Sequence, residues 1–261
     1  MRDVVKIVVS VAAFIFLAHP ALADEPNPHA QGHGDAPKGG HHGYGRPKGP
    51  PADIPAHIKE RTSPDGTGIN LNNSQVGVQG MMFMTSYPPL ANVTTMALKG
   101  NLLGDEGIKI LAESVTFKNV EKLSLWDNQV TSQGAKQIAG SASLNKLTEL
   151  NLTKNTVGDE GAIALAQSTN VSHVTSLDLS DNGITDAGAI AIANSPQLAN
   201  LKRLDLYKNK IGTEGIKALI QSKVLVNLEH LDLFKNSVDL DTAQMLQKEK
   251  TLPKLNSLFL Q

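Results

Sequence analysis

From Gly66 onward, apolar residues recur at fixed places with a period of 27 residues. With lines started at Gly66, Val93, Val120, Leu147, Val174, Leu201, Leu228 and Leu255, the fourth position reads Ile69, Met96, Leu123, Leu150, Leu177, Leu204, Leu231 and Leu258. The sixth reads Leu71, Leu98, Leu125, Leu152, Leu179, Leu206, Leu233 and Leu260. Two apolar residues separated by one predict a short strand with one face buried. The eleventh position, from Val76 to Val238, turns the chain back inward, and helix-spaced runs such as Ile216, Leu219 and Ile220 follow. Thr or Asp ahead of these runs supplies the oxygen a helix start needs. Gly107, Gly134, Gly161, Gly188 and Gly215 fall just inside each helix, where a missing side chain is expected to let helix and sheet approach.

The ninth position carries Asn101, Asn128, Asn155, Asn182, Asn209 and Asn236. Lone buried amides are costly, but a stack of them satisfies backbone groups where each strand ends and hands the bonding on to the next repeat.

The pattern LxxLxLxxNxxxxxxG followed by an Ala/Ile/Leu helix resembles the ribonuclease-inhibitor-like leucine-rich repeats. That resemblance covers residues 66–261: a degenerate unit 66–92, six repeats 93–254 and a terminal strand 255–261. It implies an α/β leucine-rich-repeat solenoid, with parallel strands on a concave face and helices on a convex one, used to grip other proteins. The terminal strand leaves an unpaired edge through which the protein is expected to be able to self-associate.

Residues 1–23 carry basic groups, an apolar run too short to span a membrane, and Pro20 before Ala-Leu-Ala, which reads as a cleaved export signal. No membrane span is expected after cleavage, and a periplasmic or secreted protein of bacterial origin is expected. Residues 24–65 are rich in Gly and Pro and are expected to be disordered, with one turn of helix over ADIPAHIKER conceivable through Ile54 and Ile58. The absence of cysteine means that stability rests on packing. Charge is balanced, 24 Lys+Arg against 25 Asp+Glu, so nothing favours nucleic acid.

Concave positions are read as the fifth and seventh. The fifth brings Asp178, Asp205 and Asp232 onto adjacent strands, where like charges repel. Arg203, Lys208 and Lys235 are near enough to offset them. Two readings stay open: ordinary solvated aspartates of this repeat class, or a site for a basic partner segment or a cation. The seventh position presents Trp126, Tyr207 and Phe234, and Tyr207, Phe234 and Phe259 are expected to form one aromatic patch that anchors a protein partner. His173 and His230 have no Ser or carboxylate placed by motif to use them, so no enzyme and no cofactor is expected. A rival reading is metal handling by His29, His33, His41 and His42 in the N-terminal segment. Met81, Met82 and Met84 invite a copper reading, but two of them occupy core positions.

Overall fold

A computed structural model describes residues 49–260. Eight three-residue strands lie in one sheet in chain order: β1 Gly68–Asn70, β2 Thr95–Ala97, β3 Lys122–Ser124, β4 Glu149–Asn151, β5 Ser176–Asp178, β6 Arg203–Asp205, β7 His230–Asp232 and β8 Ser257–Phe259. Every pair is parallel, and every residue faces its equivalent one period on, from Ile69 opposite Met96 to Leu231 opposite Leu258. Seven short helices alternate with the strands: α2 Gly77–Thr85, α3 Gly104–Glu113, α4 Ser132–Ala139, α5 Gly158–Gln167, α6 Asp186–Ala193, α7 Thr213–Ile220 and α8 Leu240–Lys248. The product is an open leucine-rich-repeat solenoid. Its core is continuous, because the position-4, -6 and -11 residues of each coil pack on those of the next, and a further apolar position closes each coil through Leu90, Phe117, Leu144, Val171, Leu198, Leu225 and Leu252. Met81 and Met84 belong to this core, whereas Met82 is exposed. No helix among the described residues is long and apolar enough to cross a membrane.

An eighth helix precedes the repeats. α1, Ile54–Arg61, is capped by Asp53, whose Oδ1 accepts from Ala56 N at 2.9 Å, and it buries Ile58 completely. The disorder expected of residues 24–65 therefore does not extend to this stretch. The reason is local: one isoleucine seals the open end of the core, and His57 Nε2 shares a 2.8 Å hydrogen bond with Ser74 Oγ, at the place where the first unit lacks the asparagine.

Three polar ladders hold the coils together. In the asparagine ladder, Oδ1 of Asn155 accepts from Asn128 N at 3.0 Å and Val130 N at 2.9 Å, while Nδ2 donates to Leu125 O and Leu152 O. The same geometry recurs at Asn101, Asn128, Asn182 and Asn209, and the bonds reach back to the preceding repeat, not forward to the next as expected. A serine ladder runs along the helix ends, where Ser141, Ser168, Ser195 and Ser222 donate to Ala112 O, Ala139 O, Ala166 O and Ala193 O of the helix before. An aspartate ladder runs forward: Asp105 accepts from Thr131 N and Gly134 N, Asp159 from Thr185 N and Gly188 N, and Asp186 from Gly212 N and Gly215 N. Each carboxylate thus caps the helix of the following coil.

The aspartates correct the reading of the helical glycines. A Cβ at Gly134 would lie 2.5 Å from Asp105 Oδ1, one at Gly188 2.8 Å from Asp159 Oδ1, and one at Gly215 2.6 Å from Asp186 Oδ1. At these three glycines the vacant space admits a capping carboxylate, whereas Gly107 packs on Leu103 and Gly161 on Val157 and Ala135. Position 8 is left-handed in every repeat, with φ between 53° at Asp181 and 67° at Gly100, so the chain leaves each strand by the same sharp turn.

Leu179→Ala opens a cavity at a fully buried site and is expected to cost about 2–5 kcal/mol in denaturant unfolding. Asn155→Leu keeps the volume nearly unchanged but strips the acceptor from two buried N–H groups, and it is expected to cost about 3 kcal/mol or more. A loss below about 1 kcal/mol would show the ladder to be dispensable.

Candidate functional site on the concave sheet

Side chains alternate along a strand, so positions 3, 5 and 7 all leave the core on the same side. The expected concave columns were positions 5 and 7, with Arg203 expected as a counter-charge; position 3 is a third column, and it brings in His230 as well. The signal was present in the same alternation, one step earlier. Across β5, β6 and β7 the wall therefore carries Ser176, Asp178 and Ser180, then Arg203, Asp205 and Tyr207, then His230, Asp232 and Phe234.

At position 5 a short acceptor side chain bonds the backbone two residues on, as the strand ends. Ser180 N donates to Asp178 Oδ1 and Phe234 N to Asp232 Oδ1, both at 2.9 Å, and Asn151 does the same for Thr153 N. Asp205 is oriented otherwise. Its Oδ2 accepts from Arg203 Nε at 2.8 Å, and its Oδ1 lies 3.3 Å from His230 Nε2. Asp205 and Asp232 are only 2% and 3% exposed. The reading of these groups as ordinary solvated aspartates fails on that burial.

Of the three expected counter-charges, only Arg203 engages the column. Lys208 reaches back to Asp181 at 2.9 Å, as Lys154 does to Asp127 at 2.7 Å, and Lys235 lies over the rings of Tyr207 and Phe234 at 5.3 and 5.9 Å. Among the described residues, Asp178 consequently stays short of positive partners. Burial, reinforced by the negative charge of Asp205 and opposed by the hydrogen bonds of Ser180, pushes its carboxyl up to about 6.

The aromatic side chains divide. Tyr207 and Phe234 stack with centroids 6.1 Å apart and planes 16° from parallel. Phe259 does not join them; at position 5 of β8 it packs on the His230 ring, 5.5 Å away, and is 43% exposed. Trp126 stands three strands off, covered by Lys99 Nζ at 3.9 Å. His230 thus has two carboxylates near it, where sequence reasoning placed none. His29, His33, His41 and His42 lie outside the described residues.

A family model described as Leucine Rich repeat matches residues 143–166, 172–193 and 197–219. A search of curated proteins found no match. Among solved structures, an internalin from Listeria monocytogenes is similar, at 22% identity and a TM-score of 0.38, over 66% of this chain and 56% of that one. This chain therefore spans little more than half the length of that internalin.

Because Asp178 is raised from 3.8 to about 6, the folded chain holds a proton between those values that the unfolded chain has released. The contribution of this group to stability accordingly falls as pH rises through that window. Asp178→Asn should therefore gain stability relative to the parent on going from about pH 4 to about pH 7.5, as read by urea unfolding at both. An equal difference at the two pH values would mean that Asp178 titrates normally.

Proposed function

We propose that this protein is a non-enzymatic, protein-binding module of ribonuclease-inhibitor-like repeats that acts outside the cytoplasm of a bacterium. The export reading rests on the sequence of residues 1–23, and the repeat subtype on the 27-residue period with a helix in each coil. The observation that carries the binding assignment is the stacked Tyr207–Phe234 pair, half-buried on the concave wall. Large aromatic side chains held on a rigid sheet lose little freedom when a partner covers them, and such residues supply most of the energy of protein interfaces. Asp178, half-buried beside the pair, and the exposed Lys208 and Lys235 set the polar rim. Asp205 and Asp232 lie too deep to touch a partner and act by fixing the wall. Trp126 is an outlying anchor. An alternative contact is the outer edge of β8, through which a second copy would add to the sheet.

The test is capture from envelope or extracellular material with the parent chain and with a Tyr207→Ala, Phe234→Ala double variant. Loss of about 2 kcal/mol per hot-spot side chain, roughly 30-fold in Kd, is expected at unchanged melting temperature. Equal binding by the folded double variant would move the site to the helices or to β8.

A further inference from the structure

Asp205, His230 and Asp232 each offer one ligand atom, and these atoms all lie within 4.8 Å of one another. We infer that they form a binding site for a divalent transition-metal ion of the zinc class. The site goes beyond the docking surface proposed above and does not depend on it.

One donor pair already stands at the spacing of ligands around a metal. Zinc holds nitrogen and carboxylate oxygen at about 2.0–2.2 Å, so two donors of a tetrahedral set stand about 3.4 Å apart. His230 Nε2 and Asp205 Oδ1 are 3.3 Å apart. Closing a gap of at most 4.8 Å to that edge takes a movement of order 1 Å, which rotation of one carboxylate provides.

The donors are also held as metal ligands usually are, by hydrogen bonds to their other atoms. Arg203 Nε occupies Oδ2 of Asp205 and leaves Oδ1 turned to the imidazole. Phe234 N fixes Oδ1 of Asp232, and the Phe259 ring limits rotation of His230. Asp205 and Asp232 are both buried, which shields the cluster from bulk water. Imidazole together with two carboxylates favours zinc, cobalt or nickel over calcium or magnesium, which take oxygen alone. With three protein donors, a fourth position is left for water.

The histidines of the N-terminal segment would also bind such ions, so the experiment uses the full chain carrying His29→Ala, His33→Ala, His41→Ala and His42→Ala. Cobalt titrated into this chain is expected to give the visible absorption of a four- or five-coordinate ion at one equivalent, displaced by zinc, and zinc is expected to raise the melting temperature. Adding His230→Phe, which keeps the packing on Phe259 but offers no donor, should abolish the absorption and weaken zinc binding by at least about tenfold. Asp232→Asn should do the same. Melting in the presence of EDTA verifies that both variants fold. The proposal is overturned if the four-fold variant binds no cobalt, or if its binding and zinc-dependent melting persist with His230→Phe.

Discussion

The solenoid depends on satisfying the backbone groups at the corners of each coil. Strands of three residues and helices of eight to ten leave many N–H and C=O groups outside regular hydrogen bonding, and here those corners are buried against the neighbouring coil. Asparagine serves the strand end, serine the helix end and aspartate the helix start. Each group spends its bonds across the seam between repeats, so a coil is complete only in a stack. Leucine packing supplies the larger share of the driving force, but it tolerates sliding and rotation. The ladders do not, and they hold the 27-residue register constant over all eight strands.

Constant register is what produces a functional surface. Because equivalent residues sit directly opposite one another, the choice of residue at one position writes a column across the sheet. Position 5 turns from Asn151 to Asp178, Asp205 and Asp232 within four strands, and position 7 brings Tyr207 against Phe234. In this part of the wall, repulsion among the aspartates is offset from position 3 by Arg203, one residue to the other side of the buried leucine, while the His230 ring approaches the same carboxylate from the neighbouring strand. Charge balance thus runs along a strand, and the lysines that follow the strands point elsewhere.

Much of this was legible in the sequence. The period, the buried leucines, the asparagine ladder and the strand count follow from identical residue types in identical places. Gly134, Gly188 and Gly215 were placed correctly but for the wrong reason, because the carboxylate that fills their space belongs to the previous repeat, 29 residues earlier at Gly134. α1 was legible only as a single turn through Ile54 and Ile58 in a segment dominated by Gly and Pro, and it runs to two turns because one buried isoleucine with a capped helix start suffices to dock it. The depth of Asp205 and Asp232 was not legible, since a strand pattern tells which face a residue occupies and not how far neighbouring side chains cover it.

The ladders point in opposite directions, and this gives the stack a sense of time. Aspartate caps are supplied by the earlier coil, whereas the asparagine and serine groups come from the later one. A chain leaving the ribosome can therefore start α4, α6 and α7 against a cap already in place, but it cannot seal the strand end of a coil until the following asparagine has emerged. The newest finished coil always trails synthesis by one repeat, and a stalled or clipped chain exposes its raw edge on the C-terminal side, while the N-terminal side is closed from the start by His57 on Ser74.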